Sequence, residues 1–261
     1  MSLRQAVTIA SLFLFLSTAG LGSAANRISK DTALSKFVKA NFQYKDDRYD
    51  EAIKLYEEIF NSGLVSGPLY YNLGNSYFQK GALGKAILNY ERSRRLMPRD
   101  HDLRANYRYA LSLVNGRSAE KTLSAFRRLY GQFLDFHSLD EMVLIVFVLG
   151  LAIGVSYLLS LYFAWRKSFA LRVSVALIFL FLAYLTGFFN TLEAQRNAAI
   201  AIADTAAKFE PRQEAPTHFD LPQGNQIKVL KKDGTWAKIK RPDGKEGWVP
   251  VADIEKIDQG S

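Results

Sequence analysis

The side chains that most often carry out catalysis are scarce in this chain. It contains no cysteine and only three histidines, His101, His137 and His218, none of which stands at a metal-ligand spacing such as i, i+4 from another. Neither a glycine-rich phosphate loop nor a nucleophile-elbow pattern occurs. The carboxylates fall on predicted solvated helix faces, where no pair can be nominated for general acid–base catalysis. We therefore expect a protein that is not an enzyme, with no catalytic residue, no cofactor and no metal ion.

Residues suited to binding are better represented. Four asparagines lie on predicted helices, where their amides could donate to and accept from a peptide backbone: Asn41, Asn72, Asn75 and Asn106. Arg104 and Arg108 follow at i, i+4 spacing, which puts two positive charges on one helix face. These six residues are the candidate partner-binding groove. The alternative is that the asparagines satisfy neighbouring main chain and that the arginines belong to a solvated face.

A period of 34 residues between Ala33 and Asp100 determines where these side chains lie. The clearer copy carries eight residues of a repeat signature: Tyr70, Leu73, Gly74, Tyr77, Gly81, Ala86, Tyr90 and Pro98. Small residues such as Gly74 and Ala86 let two antiparallel helices approach each other. Gly81 makes the turn between the helices, and Pro98 stops the second one. The copy resembles a tetratricopeptide repeat.

An earlier copy is degenerate, and a later helix over residues 102–114 looks like a third first helix or a cap. Stacked repeats of this family leave a concave groove, lined mainly by the first helix of each pair, that usually takes an extended peptide or a partner helix. The resemblance therefore implies an all-α repeat solenoid over residues 26–140, with the asparagines on its groove.

Two stretches of sequence have alternative interpretations. Arg92, Arg95 and Arg99 follow i, i+3, i+7 spacing, and they form either a basic face that attracts acidic partners or the solvated side of a helix.

Residues 118–139 have apolar side chains at helical spacing directly before a long apolar run. They predict either the second helix of a third repeat or an amphipathic helix at the bilayer surface.

Residues 142–165 and 173–192 contain no charged residue, and each run is long enough to cross a bilayer as a helix. Small-residue pairs in both runs favour close packing, either between the two helices or with other membrane proteins. We predict a transmembrane hairpin over residues 141–192. Its short loop, residues 166–172, carries Arg166, Lys167 and Arg172 and no acidic residue, which places the loop in the cytoplasm and both flanking regions outside.

The two ends of the chain complete the expected organisation. Residues 1–25 read as a signal peptide or an uncleaved anchor. Residues 193–261 alternate apolar and polar residues between turn signals, which is typical of a small β-barrel. Four residues there resemble a bacterial SH3-like domain: Trp236, Gly247, Trp248 and Pro250. We expect Trp236 to pack inside the barrel or at its rim, and Gly247 to permit a tight bend.

The formal charge of +9 does not point to nucleic acid. Residues 27–140 carry 19 Lys and Arg against 13 Asp and Glu, the membrane loop carries three positive charges, and the chain from Glu193 onward is neutral. A nucleic-acid-binding protein would concentrate its positive charge on one folded module, whereas part of this excess is explained by membrane topology.

The whole order, from signal through repeats and hairpin to SH3-like domain, resembles the BatE family of bacterial aerotolerance operons. The resemblance implies an inner-membrane, multi-pass protein with both soluble domains in the periplasm. It also implies partners among membrane proteins with von Willebrand-type domains and a MoxR-type ATPase. The leading hypothesis is a scaffold or adaptor for protein–protein interaction. The alternative is a cell-wall protein whose SH3-like domain binds peptidoglycan.

Overall fold

The computed structural model describes residues 29–114, 130–131, 133–162 and 167–258. The predicted signal peptide, residues 115–129 and the loop residue Arg166 lie outside the described residues. The described chain forms a helical region, a long helical hairpin and a β region, in that order.

The helical region, residues 30–114, consists of five helices joined by short turns. They are α1 (Lys30–Lys45), α2 (Tyr49–Asn61), α3 (Gly67–Gln79), α4 (Leu83–Leu96) and α5 (His101–Val114). Helices α1 and α2 pack as one pair, α3 and α4 as the next, and α5 packs on α4. Ser29 and Ser66 cap α1 and α3, because each side chain accepts a hydrogen bond from a backbone N–H in the first turn.

Small residues set the distance between α3 and α4. A Cβ at Gly74 would lie 2.8 Å from two ring carbons of Tyr90, so α3 can approach α4 this closely only with glycine there. Ala86 and Tyr90 are almost completely buried in the core between the helices. Gly81 has φ +74° in the turn, as the sequence predicts, and α4 ends two residues before Pro98.

The hairpin consists of α6 (Leu139–Tyr162) and α7 (Lys167–Arg196), which pack against each other. Within the described residues, Leu139–Leu161 and Leu171–Arg196 are long and apolar enough to cross a membrane, with mean hydropathies of 2.7 and 2.0. In each helix, only 11% of the apolar 18-residue window is buried inside the protein.

The small-residue positions of the hairpin serve different contacts. A Cβ at Gly150 would lie 3.9 Å from Phe181 of the facing helix, which is ordinary contact. Gly187 instead faces Tyr130 and Leu134, and the Tyr130 hydroxyl donates a hydrogen bond to the carbonyl of Ala183, 2.6 Å away. The described end of the 118–139 stretch therefore packs on α7 rather than as a further helix of the stack.

The β region, residues 198–258, is a seven-stranded antiparallel sheet with strand order β3-β2-β6-β5-β4-β1-β7. Its strands are β1 (Ala198–Ala201), β2 (Thr205–Lys208), β3 (Thr217–Leu221), β4 (Gln226–Asp233), β5 (Trp236–Lys240), β6 (Glu246–Pro250) and β7 (Ile254–Lys256), with a 3-10 turn at Val251–Asp253. Alternate residues such as Ile227, Ile239 and Val249 point into its core. Gly234 and Gly244 take positive φ in the two predicted turns.

The β region docks directly on the helical region. Ile200 and Ile257 of the β region are buried in the same cluster as Ile87 of α4. A Cβ at Gly84 would lie 2.7 Å from the carbonyl oxygen of Ala201, so glycine is required where β1 meets the start of α4. The two regions therefore share one hydrophobic core.

Both regions lie at the open end of the hairpin, opposite its loop. Arg99, just after α4, pairs with Glu141 at the start of α6. In the other helix of the hairpin, the Glu193 carboxylate near the end of α7 lies 3.1 Å from the Lys228 amine of β4. A single residue, Asn197, separates α7 from β1.

Candidate ligand-binding site

The four predicted groove asparagines join successive helices of the stack. Asn41 of α1 accepts two hydrogen bonds on its side-chain oxygen, from the Tyr56 hydroxyl at 2.6 Å and from the Asn72 amide at 2.9 Å. An amide oxygen has two lone pairs, so this acceptor is fully used. The contact ties α1 to both α2 and α3.

The same arrangement recurs 34 residues further on. Asn75 accepts from the Tyr90 hydroxyl at 2.7 Å and from the Asn106 amide at 3.2 Å, and Asn106 also donates to the Tyr71 hydroxyl at 2.9 Å. The partners are side chains, not the neighbouring main chain that the sequence offered as the alternative. A partner-binding role for these amides stays a prediction.

The arginines predicted from spacing have different environments. Arg104 and Arg108 are exposed on α5, and the Arg108 guanidinium donates to the carbonyl of Arg104. Arg92 and Arg95 face the β region, and Arg99 pairs with the hairpin. Arg92 and Arg95 therefore belong to the interface with the β region, whereas Arg99 lies after α4 and is exposed at its ion pair with Glu141.

Arg92 is the central polar contact between the helical and β regions. It is 6% exposed, and its guanidinium donates to the carbonyls of Ile257 and Lys256, both at 2.9 Å, and to the Glu255 carboxylate at 2.8 Å. It also lies above the ring of Tyr70, 5.7 Å from the centroid. A delocalised guanidinium with several donors suits such a site, since it satisfies three acceptors at once.

A buried acidic group lies beside this interface. Glu91 is almost fully buried and receives two hydrogen bonds from Arg94, at 2.7 and 2.8 Å. Burial alone would raise the pKa of the Glu91 carboxyl, but Arg94 and Arg95 hold that pKa below its usual value. Glu91 is thus a charged structural group of the interface.

An open cleft lies on the β region away from the helical region. Its volume is about 530 Å³. Residues from loops and from the ends of strands line it: Gln213, Gly234, Thr235, Trp236, Pro250, Val251 and Ala252. Trp236 pairs with Pro250 across β5 and β6, so an indole and a pyrrolidine ring form one wall. Such an apolar wall at the end of a sheet suits an extended ligand that packs on ring faces.

The signature residues of the β region divide between cleft and core. Trp236 and Pro250 belong to the cleft, which agrees with the expected rim position of Trp236. Trp248 lies half-buried on the same outer face. At Gly247, β6 pairs with β5 on both sides without a register shift, and the tight bend expected there stays a prediction. Glycine is needed there because a Cβ would lie 2.9 Å from the Cβ of Ala207.

The sequence patterns did not predict the part of the cleft that Gln213 forms. Gln213 belongs to the loop between β2 and β3, two strands of four and five residues that the pattern did not predict. Of the predicted topology residues, Lys167 begins α7, and the exposed Arg172 donates to the carbonyl of Ser168. Within the described ranges, no group of three His, Asp or Glu side chains could hold a metal ion.

Comparison with known proteins bears on the β region. No curated protein matches the chain. Residues 209–255 match the bacterial SH3 domain family, a stretch that runs from the loop after β2 to the middle of β7 and includes every residue of the cleft. Residues 209–255 are therefore a bacterial SH3 domain.

Proposed function

We propose that this protein is a non-enzymatic scaffold of the bacterial inner membrane. In this proposal the helical region is a tetratricopeptide-repeat solenoid, α6 and α7 cross the membrane, and the repeats and the SH3 domain face the periplasm together. The observation that carries the proposal is the docked interface around Arg92. Two regions that share a core must lie on the same side of a membrane. A hairpin that crosses the membrane twice has this consequence, because it returns the chain to the side from which it entered.

The dimensions of the hairpin support a membrane anchor. Helix α6 has 24 residues and α7 has 30, and at a rise of 1.5 Å per residue both exceed the roughly 30 Å of a bilayer core. Their side chains are largely exposed to the surroundings, which suits lipid. The predicted loop 166–172 is shorter in the structure, because α7 already begins at Lys167, but Lys167 and Arg172 in the first turns of α7 still place positive charge at this end of the hairpin, which favours the cytoplasm.

The contacts of the helical region support a repeat. The side-chain oxygens of Asn41 and Asn75, 34 residues apart, each accept a hydrogen bond from a tyrosine hydroxyl. The donors, Tyr56 and Tyr90, are also 34 residues apart. A repeat solenoid leaves its concave face for an extended peptide or a helix. By the BatE resemblance, the partners are membrane proteins with von Willebrand-type domains and a MoxR-type ATPase.

The SH3 cleft provides the second binding surface of the scaffold. Docking uses β1, β7 and the turn before β4, so Trp236 and Pro250 remain open to a ligand. The test is co-purification of the full chain from native membranes, comparing wild type with Trp236→Ala. The control is Phe209→Ala, which removes an exposed aromatic of the same domain outside the cleft. A partner that is lost with Trp236→Ala and kept with Phe209→Ala supports the scaffold, and partners unaffected by Trp236→Ala would refute it.

A cell-wall function is the second candidate. It is favoured by the two half-exposed indoles, Trp236 and Trp248, on one face, because indole rings stack well on sugars. The full chain in detergent is sedimented with purified peptidoglycan, again beside Trp236→Ala. Sedimentation that depends on Trp236, with no protein partner in the co-purification, would replace the scaffold by a wall-binding protein.

Orientation is tested separately with topology reporters. Fusions after Asp140, at Ser168 and after Gly260 are expected to read outside, inside and outside. A periplasmic signal at Ser168 would overturn the proposed orientation.

A further inference from the structure

A row of lysines crosses the outer face of the SH3 domain beside the cleft. Strand register places Lys208 of β2 next to Trp248 of β6, Trp248 next to Lys238 of β5, and Lys238 next to Lys231 of β4. The Lys231 amine lies above the Trp248 ring, 5.3 Å from its centroid. We call these four residues the lysine row.

The lysine row lies between two other cross-strand rows of the same face. On one side, Asp233 of β4 pairs with the cleft residue Trp236 of β5, and Trp236 pairs with the cleft residue Pro250 of β6. On the other side, Lys228, Lys240 and Glu246 form the row closest to the hairpin. Successive rows are two residues apart along a strand, or roughly 7 Å. A ligand that follows the lysine row across the strands therefore lies beside the cleft, roughly 7 Å from the cleft row.

The charge of this face is positive although the SH3 domain and its flanks are neutral overall. The three rows contain five lysines against two carboxylates, Asp233 and Glu246, and one of the lysines, Lys228, also pairs with Glu193 of α7. Glu246 already lies 3.0 Å from both the Lys238 and the Lys240 amines. Other acids are used in the docked interface, where Glu255 and Asp258 pair with arginines of α4. Docking thus leaves a surplus of positive charge on the free face.

The lysines have donors to spare. Lys208 donates one hydrogen bond to the carbonyl of Gln213, which directs its amine toward the cleft. An ammonium group has three donors, so Lys208 retains two for a ligand. Lys231 holds its amine above the Trp248 ring, whose face attracts the cation and leaves N–H donors of the amine for a ligand. Charge complementarity therefore calls for a ligand with at least two carboxylates.

The spacing of the row specifies an extended peptide. Adjacent strands are roughly 4.8 Å apart, so Lys208 and Lys231, at opposite ends of four strands, are separated by about 14 Å at their backbones. In an extended peptide, residues i and i+4 point to the same side and are also about 14 Å apart. Residue i+2 then lies between Trp248 and Lys238, where an apolar side chain packs on the indole.

We propose that the lysine row binds an extended peptide segment with acidic residues at i and i+4 and an apolar residue at i+2, adjacent to the cleft. The inference deepens the proposed scaffold function and rests on it, since it names the chemistry of the segment that the SH3 domain would hold. A glycan would not match this spacing of carboxylates, and it is an outcome of the test.

The experiment uses the full chain in detergent and a fluorescein-labelled peptide with Glu at i and i+4 around a central Leu. Fluorescence anisotropy is compared with a peptide whose two Glu are replaced by Gln. The Glu peptide is expected to bind at least 5-fold more tightly. Raising the salt from 0.1 M to 1 M should remove most of this difference, because the Debye length falls from about 10 Å to about 3 Å.

Matched protein variants localise the effect. Lys208→Gln, Lys231→Gln and Lys238→Gln are each expected to weaken the Glu peptide about 2- to 5-fold, the range of exposed ion pairs. Lys232→Gln is the control, since Lys232 is an exposed lysine of the same strand that pairs with Ala237 outside the lysine row. Unchanged thermal unfolding of all four variants shows that folding is intact.

The possible results separate this inference from the function it rests on. Equal binding of the Glu and Gln peptides, or an equal loss with Lys232→Gln, would overturn the lysine row as an acidic-peptide site. Peptidoglycan sedimentation with the same lysine dependence, without peptide binding, would also overturn it and assign the face to the wall. If Trp236-dependent co-purification persists in either case, the scaffold stands and only the acidic-peptide inference fails.

Discussion

Replacement of Arg92 by alanine is expected to separate the SH3 domain from the helical region without unfolding either one. In the docked state the guanidinium satisfies two backbone carbonyls and one carboxylate, those of Ile257, Lys256 and Glu255. The alanine variant leaves these acceptors facing an apolar core in which Ile200 and Ile257 are buried. The carbonyls must then find water, which requires the interface to open.

The magnitude follows from the burial of the group. Breaking a buried ion pair by removing one partner costs about 3–5 kcal/mol. Glu255 is about one-third exposed, so its share is screened by solvent and the lower part of that range applies, about 3–4 kcal/mol. Because each 1.4 kcal/mol is a factor of ten, the docking equilibrium should shift by about 10²- to 10³-fold.

The absence of cysteine makes the assay straightforward. Two introduced cysteines, at the exposed positions Glu51 of α2 and Lys245 between β5 and β6, would be the only labelling sites. Spin labels there report the distance between the two regions by pulsed electron paramagnetic resonance. Wild type should give one narrow distance distribution, and Arg92→Ala a broad one that extends to longer distances.

Two comparisons make the result decisive. Asp258→Asn removes only the ion pair with Arg95 at the exposed edge of the interface, so it should cost at most about 1 kcal/mol and keep the narrow distribution. Arg92→Lys keeps the charge but loses the planar fork, so it should lie between wild type and alanine. A narrow distribution in Arg92→Ala would refute the reasoning, as would an equal broadening in Asp258→Asn.

Further predictions concern the interior of the helical region. Gly74→Ala should lower the free energy of unfolding by about 1–3 kcal/mol in urea titrations, because its methyl group would overlap the ring of Tyr90, and an unchanged midpoint would contradict the observed packing. Asn75→Ala should cost a similar 1–3 kcal/mol, since the Tyr90 hydroxyl and the Asn106 amide lose their shared acceptor. Glu91 has a pKa below its usual value in the folded protein, so its contribution is present above about pH 4.3 and is lost as the pH falls through the folded pKa. In Glu91→Gln, thermal unfolding should therefore depend less on pH below about pH 4.3, and an unchanged dependence there would exclude Glu91 as its source.

Most elements were predictable from local patterns. Helices α3 and α4 follow from the spacing of Gly74, Gly81 and Ala86, because helix approach, turn and core position each demand a particular residue type. The strands β4, β5 and β6 follow from alternation between turn signals. Strands β2 and β3 escaped prediction because they are short, and β2 is rich in alanine, a residue with little preference for strands.

The candidate site was less predictable. Trp236 and Pro250 are separated by 14 positions, and only the β5–β6 register makes them neighbours. The lysine row has the same origin, since its members lie on four different strands. The groove asparagines were found by their period, but their side-chain partners come from helices packed on either side, which a pattern along one helix does not contain.

By itself, the sequence determined a chain with two apolar helices, a helical region before them and a small β domain after them, because helix length, helix period and strand alternation are local properties. Only the tertiary structure decided what the arginines of α4 do. Spacing of i, i+3, i+7 describes a solvated face and a buried interface equally well. The choice depends on whether Arg92 exchanges its water for the carbonyls of Lys256, the last residue of β7, and Ile257, which follows it. Both residues lie more than 160 positions away in the chain.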